Sequence, residues 1–233
     1  MTVRRLTALF REPHLERPAC EAAWQKLLGP IEFHLVWAQF SSPLVTPRDF
    51  KSAFRIIHRS LFLRAFNPTA PDPMCRLCRC APERFSHIGS CEYITETFGL
   101  FVSFAQKFCP AIELSLHLIF LGMRDGVTPL PSALSALRVI VWKFTLIAFT
   151  RVDTDGAKYS SADVWKGALR RFETRVRRYD IYVARLSLRR RCAGDSPLDY
   201  ARYRAVIAPL EGYDEDGEPL PRPVLASALA SLA

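Results

Sequence analysis

Three cysteines and one histidine lie within 17 residues of one another and have the spacing of metal ligands. The pattern is Cys75-x2-Cys78-x8-His87-x3-Cys91. A tight turn between two cysteines that are separated by two residues directs both sulfurs toward one cation. Zinc binds four such ligands tetrahedrally, and four protein ligands leave no open position for water. The spacing therefore predicts a closed, structural zinc site at Cys75, Cys78, His87 and Cys91.

The remaining cysteines and histidines have no such spacing. Cys80 is the exception, because it is close enough in sequence to replace Cys78 as a ligand. His117 lies inside an apolar segment, which predicts a core histidine whose ring nitrogens are satisfied. Residues predicted to serve only packing are Cys20, Cys109 and Cys192.

Most of the positive charge is concentrated in a second segment. Ten basic and two acidic residues lie between Trp165 and Arg191, within one predicted helix over 161–191. Arginine binds phosphate oxygens through two parallel donors, and such contacts hold nucleic acid without selecting its sequence. The segment therefore predicts contacts with the backbone of RNA or DNA. The residues assigned to this contact are Lys166, Arg170, Arg171, Arg177, Arg178 and Arg185.

Apolar residues of the same helix recur at alternating intervals of four and three, from Trp165 to Leu186. This spacing forms a heptad-like seam, which packs along one neighbouring helix. The seam leaves a second function open, that of a structural module that docks a partner helix or a second copy through Trp165–Leu186. A solvated helix is a third interpretation, although its charges would alternate in sign.

Nearly every other periodic segment has helical spacing. Helices are predicted over 20–29, 95–108, 111–121 and 132–150, whereas 31–40 fits either a strand or a short helix. Residues 46–49 (TPRD) begin a further helix with a capping box in which aspartate replaces the usual glutamate. Its predicted apolar face consists of Phe50, Phe54, Ile57, Leu61 and Ala65. The predicted fold class is mostly α, a multi-helix bundle with a small zinc-stapled loop segment and a disordered C-terminal tail.

Four segments follow from this pattern. They are an N-terminal helical segment (1–45), a helix with the zinc-binding segment (46–108), a C-terminal helical region that contains the basic helix (109–208), and an acidic, proline-bearing tail (209–233). The composition of the tail predicts disorder. The polar stretch 151–161, which contains Asp153 and Asp155, is predicted to be a loop that turns at Gly156.

Composition is that of a globular protein with a basic surface. The chain of 233 residues is 49% hydrophobic and carries a net charge of +9, which excludes wholesale disorder and favours polyanionic partners. The apolar stretch 133–149 is interrupted by Arg138 and Lys143, so we expect a buried helix and no membrane partner. The first residues lack a signal-peptide pattern. We therefore expect an intracellular protein, nuclear or cytoplasmic, with reduced cysteines.

The cysteine–histidine segment resembles the zinc-binding region downstream of reverse transcriptase in non-LTR retrotransposon proteins and their dispersed remnants. The resemblance covers 49–104 and rests on C-x-x-C, the acid Glu83, the later histidine and cysteine, and the helices on either side. That family more often has four residues between the histidine and the last cysteine, where this chain has three. The resemblance implies a role in gripping RNA or DNA. The ligand roles that it implies fall on Cys75, Cys78, His87 and Cys91.

The chain shows no pattern for catalysis. It has no F/Y-x-D-D polymerase motif and no glycine-rich phosphate loop. Some retroelements place a nuclease after the zinc motif, but we interpret Asp153 and Asp155 as polar loop residues. The expected function is therefore that of a non-catalytic, nucleic-acid-binding module. The alternatives are the seam-docking module and an element remnant without a selected function.

Overall fold

The computed structural model describes residues 18–70 and 72–192. This part of the chain has seven α-helices and no β-strand, which confirms the mostly α class. The helices are α1 (Ala19–Leu28), α2 (Phe33–Ala38), α3 (Pro47–Ile57), α4 (Phe85–Ile88), α5 (Glu92–Ala105), α6 (Ser132–Asp155) and α7 (Ser161–Cys192). Residues 1–17 and 193–233, and with them the predicted disordered tail at 209–233, lie outside the described residues.

Helices α5, α6 and α7 form the centre of the bundle. α6 packs against α7 and α3, and α5 packs against both α6 and α7. One cluster of buried side chains joins the elements, and it includes Trp24, Phe98, Trp142 and Phe172. Removal of this apolar surface from water is the main force that holds the helices together.

α6 is a long, largely apolar helix and lies inside the bundle. It is the one helix in the described part of the chain that is long and apolar enough to cross a membrane. Within its most apolar stretch of 18 residues, 72% is buried inside the protein. Every side chain from Ala133 to Trp142 is buried. This burial confirms the prediction of a buried helix over 133–149 and is consistent with a soluble protein.

The N-terminal elements follow the predicted boundaries. α1 ends before Gly29, whose φ of +86° suits glycine. The ambiguous stretch 31–40 is helical, with α2 followed by a 3-10 turn at Gln39–Ser41. α3 begins with the predicted capping box, in which the Thr46 backbone N–H donates to Asp49 Oδ2 at 3.0 Å.

The predicted apolar face of α3 is confirmed at Ile57 and wrong at Phe50 and Phe54. The helix ends at Ile57, and Arg59, with φ +53°, turns the chain away from the helical path. Phe50 and Phe54 are each 37% exposed, because the helix turns a neighbouring face toward α6. The apolar residues that α3 buries are Ala53, Ile56 and Ile57.

The predicted helix over 111–121 is also wrong. Only one π-helical turn forms there, at His117–Leu121. Arg138 of α6 is buried beneath it, and its Nη1 donates to the carbonyl oxygens of Ile119 at 3.1 Å and Phe120 at 2.9 Å. A side chain from another helix therefore satisfies carbonyls that a longer α-helix would have bonded internally.

The predicted loop over 151–161 starts too early, because α6 continues to Asp155. Asp153 and Asp155 are therefore helical, and Gly156, with φ +63°, ends the helix. Asp153 accepts hydrogen bonds from Arg64 and Arg76, which hold the last turn of α6 in place. These contacts come from residues far away in the sequence, so local composition did not reveal them.

Two glycines with positive φ allow a matched test of packing. A Cβ on Gly122 would lie 2.3 Å from Gln39 Oε1 and 2.7 Å from Arg138 Nε, whereas one on Gly156 would meet nothing within 4 Å. We expect Gly156→Ala to lower the free energy of unfolding by about 1 kcal/mol through backbone strain. Gly122→Ala should cost about 1–3 kcal/mol more through overpacking. Chemical denaturation of both variants measures this difference, and equal losses would contradict the close approach.

Candidate metal centre

Residues 73–83 fold into a tight hairpin, which presents the first two predicted ligands. The Cys75 backbone N–H donates to Ala81 O at 2.8 Å, and the Arg79 N–H donates to Cys75 O at 2.9 Å. Arg79 has a left-handed backbone with φ +60°, which closes the turn after Cys78. The backbone of this hairpin therefore places the two sulfurs on one side.

The other two predicted ligands come from the helices that follow. His87 lies in α4, and Cys91 is the N-cap residue of α5. Gly89 lies between them in the sequence and leaves room for Leu116, since a Cβ there would lie 2.9 Å from Leu116 Cδ2. α4 and the start of α5 therefore carry the third and fourth predicted ligands.

The structure brings the four predicted ligand atoms into one group, in which all lie within 4.8 Å of one another. The Sγ atoms of Cys75 and Cys91 are 3.9 Å apart, and Cys78 Sγ lies 3.2 Å from His87 Nε2. Cys75 and Cys91 are fully buried, while Cys78 and His87 are partly exposed. A group of this size and composition can hold one metal ion.

Cys80 is not part of this group, which decides between the two candidate cysteines. Its side chain is exposed, and its Sγ points toward the carbonyl oxygen of Cys78 at 3.1 Å. Its backbone N–H instead faces Cys78 Sγ at 3.4 Å. Cys80 therefore supports the sulfur of Cys78 through its backbone.

Backbone N–H groups also face the other two sulfurs. The N–H groups of Leu77 and Cys78 lie near Cys75 Sγ, and the N–H of Ile94, which donates to Cys91 O at 2.9 Å, lies near Cys91 Sγ. The hydrogen bond from the Cys91 thiol lowers the pKa of Cys75 to about 5, although burial opposes the shift. The same shared hydrogen raises the pKa of Cys91. The donors stabilise negative sulfur, the form in which cysteine binds metal.

A buried carboxylate fixes the hairpin from behind. Glu83 is fully buried and accepts from the Arg76 backbone N–H at 3.0 Å, from Arg76 Nε at 2.8 Å and from the Arg64 backbone N–H at 3.0 Å. Arg76 Nη1 also donates to Asp153 Oδ2 at 2.6 Å. Glu83 is recognisable in the sequence, but the roles of both arginines are not, because their partners are distant in the chain.

The two aspartates considered for a nuclease serve other contacts. Asp153 pairs with Arg64 and Arg76, and Asp155 pairs with Arg151 one helical turn earlier at 2.8 Å. In the described ranges, the cysteine–histidine group is the one convergence of three or more residues of metal-ligand type.

α7 presents most of its predicted nucleic-acid-binding residues to solvent. At 100° per residue, the six predicted positions span an arc of about 140° on one side of the helix. Lys166 is partly buried, and Arg177 pairs with Glu173. The exposed positions are Arg170, Arg171, Arg177, Arg178 and Arg185.

The apolar seam of α7 lies on its opposite side and is occupied within the chain. Its first four residues are buried against α5 and α6, and the Trp165 ring lies 5.6 Å from that of Phe104. A partner helix or second copy therefore cannot dock along this part of Trp165–Leu186, which corrects the seam-docking alternative over most of its length. The buried residues of the seam are these four, Trp165, Leu169, Phe172 and Val176, together with Val183.

The remaining predicted residues have structural surroundings. His117 Nε2 lies 3.1 Å from Leu28 O, as expected of a satisfied histidine. Cys20 is buried and Cys109 is half-buried, and all the cysteines with described side chains are free. The side chain of Cys192 lies outside the described residues. No protein-family model, curated protein or solved structure matches this chain.

Proposed function

We propose that this chain is a zinc-stapled, non-catalytic module that binds RNA or DNA through the phosphate backbone. The observation that carries the proposal is the exposed row of arginines on one side of α7, a helix whose opposite side is buried in the bundle. The proposal agrees with the role implied by the resemblance to the region downstream of reverse transcriptase in non-LTR retrotransposon proteins.

Zinc is the ion that best suits the metal centre. Three thiolates and one imidazole favour it over harder cations, which prefer oxygen ligands. A tetrahedral ion with Zn–S distances of about 2.3 Å requires sulfurs about 3.8 Å apart, and Cys75 and Cys91 are 3.9 Å apart. Cys75, Cys78, His87 and Cys91 would fill all four positions, so the ion would staple the hairpin to α4 and α5.

The basic side of α7 suits a backbone contact better than base recognition. Its arginines project from a long, regular helix, and the rigid anchoring of that helix reduces the entropy lost on binding. Contacts between arginine and phosphate release condensed counterions, so the affinity must fall steeply as salt rises. We therefore expect similar affinities for sequences of different composition.

A salt titration with matched variants tests this proposal. Fluorescence anisotropy with a labelled duplex gives the slope of log K against log salt. We expect Arg170→Ala with Arg178→Ala to reduce that slope by about 1.8, which corresponds to two lost phosphate contacts. Arg48→Ala with Lys51→Ala removes the same charge from exposed positions on α3, and it should leave the slope unchanged.

Two outcomes would overturn the proposal. The first is a wild-type protein that binds neither duplex nor single strand at low salt. The second is an equal loss of slope in the α3 and α7 variants, which would make net charge rather than the α7 surface responsible. A concentration-dependent oligomer without nucleic-acid binding would instead favour a structural interaction protein.

A further inference from the structure

A half-open pocket of about 250 Å³ lies beside the metal centre. Its walls come from the chain between α3 and the hairpin and from the start of α4, and they include Arg59, Leu61, Phe66, Arg84 and Phe85. Pockets for drug-sized ligands measure about 300–1,000 Å³. The pocket therefore has room for one small planar group rather than for an extended ligand.

Exposed aromatic rings mark the rim of this pocket. Phe66 lines it and is 71% exposed, and the neighbouring Phe62 is 76% exposed. These are the two most exposed phenylalanines in the described part of the chain. A solvent-facing aromatic ring offers a platform for stacking, and any nucleobase can stack on it because every base has a π face.

Two arginines at the pocket are without acidic partners. Arg59 lies over the Phe85 ring, with its guanidinium carbon 5.0 Å from the ring centroid. Neither Arg59 nor Arg84 forms an ion pair with any described residue, and both are exposed. The nearby arginines of the hairpin region are all paired, namely Arg64, Arg76 and Arg79. The pocket therefore combines uncompensated positive charge with apolar walls.

The metal centre supports one wall of the pocket. Arg84 is the N-cap residue of α4, and Phe85 begins the helix that carries the candidate ligand His87. The Phe85 ring packs against Trp24 at 5.6 Å and Phe120 at 5.4 Å, so this wall is anchored in the core. A ligand bound here would contact a surface that the metal holds in shape.

We propose that this pocket binds one nucleotide of a single-stranded RNA or DNA. A base stacks on Phe66 against the apolar wall, and its phosphate pairs with Arg59 and Arg84. The inference rests on the proposed function and deepens it, since the α7 arginines would hold either duplex or single strand whereas the pocket takes only an unpaired base. A base within a duplex is already stacked on both sides and cannot enter.

Two probes and two matched variants test the pocket by anisotropy. The probes are a labelled 15-mer of uridine and a 15-bp duplex. Phe66→Ala should weaken binding of the single strand by about 5- to 100-fold, the range for loss of one stacked base, and leave duplex binding unchanged. Phe54→Ala removes another exposed ring, on α3 and outside the pocket, and should change neither affinity.

A third probe separates the pocket from the α7 surface. Uridine monophosphate has one base and one phosphate, so saturation-transfer NMR at millimolar concentration detects the pocket without a contact that spans α7. We expect a signal in the wild type and its loss in both Phe66→Ala and Arg59→Ala with Arg84→Ala. Circular dichroism must show that these variants remain folded.

The outcomes distinguish the two proposals. If Phe66→Ala changes neither single-strand affinity nor the mononucleotide signal, the pocket inference is overturned while salt-dependent binding by α7 stands. If the wild type gives a mononucleotide signal and binds the 15-mer of uridine but not the duplex, the proposed function of α7 is overturned while the pocket inference stands. A signal that an acidic peptide reproduces equally well would assign the pocket to a protein partner and overturn the inference.

Discussion

Cys75→Ser is expected to abolish metal binding and to unfold the hairpin over 73–83 together with the start of α5. Cys75 is fully buried, so the variant cannot recruit a replacement ligand from solvent. Structural zinc contributes on the order of 10 kcal/mol to folding in finger peptides, whereas whole domains are stable by about 5–15 kcal/mol. Native mass spectrometry measures the bound metal, and thermal unfolding by circular dichroism measures the loss of stability.

Two further variants make this prediction specific. His87→Ala removes the candidate nitrogen ligand and should also lose the metal. Cys80→Ser changes an exposed cysteine outside the ligand group, so it should retain one ion and the wild-type melting temperature. A wild-type protein that is folded without any metal would contradict both the zinc assignment and the predicted loss of stability.

Asp49→Asn is expected to lower the free energy of unfolding by about 3–5 kcal/mol, the range for breaking a buried ion pair. Asp49 is fully buried at the start of α3, where it accepts from Lys143 of α6 at 2.9 Å and from Arg175 of α7. Removal of its charge leaves Arg175 buried without an acidic partner, with its remaining bonds to Leu44 O and Thr46 Oγ1. Urea denaturation measures the loss.

The same carboxylate makes the free energy of unfolding depend on pH in the acidic range. Burial alone would raise the pKa of Asp49, but hydrogen bonds from Arg175, Thr46 and Lys143 outweigh burial and lower it to about 2. Asp49 thus binds a proton less tightly in the folded state than in the unfolded chain, where its pKa has the ordinary value of 3.8. The stabilisation by the Asp49 carboxylate is present above pH 4. As the pH falls toward 2, the free energy of unfolding decreases by about 2 kcal/mol.

Asp155→Asn provides the control for Asp49. Asp155 forms an exposed pair with Arg151 on the same helix, and exposed ion pairs contribute little to stability because water screens them. Its replacement should hardly change the denaturation midpoint at neutral pH. An equally small effect of Asp49→Asn would show that the three-helix ion pair does not stabilise the bundle.

The sequence alone was sufficient to predict the structure wherever the decisive interactions are local. The ligand spacing from Cys75 to Cys91 predicted a group that a short hairpin and two helix starts bring together. The capping box at Thr46 and Asp49 was likewise correct, because both partners lie within four residues. Local spacing could not choose between Cys78 and Cys80, since both lie in the same turn and only backbone geometry separates their sulfurs.

Errors arose where distant residues decide the structure. The periodicity of α3 marked Phe50 and Phe54 as core residues, but the register of packing against α6 exposes both. The segment 111–121 has the composition of a helix, yet Arg138 satisfies its carbonyls from another element. The apolar seam of α7 was visible in sequence, but nothing local showed that α5 and α6 of the same chain cover it.

The contacts of Arg76 connect the hairpin to the end of α6. It joins Glu83 within the hairpin to Asp153 at the end of α6, and its guanidinium carbon lies 5.1 Å from the centroid of the Phe149 ring. The segment that carries the candidate ligands is therefore not an autonomous unit that could be excised or transplanted between proteins. A graft would need to carry the final turns of α6 with it, so the two regions must change together as the sequence diverges.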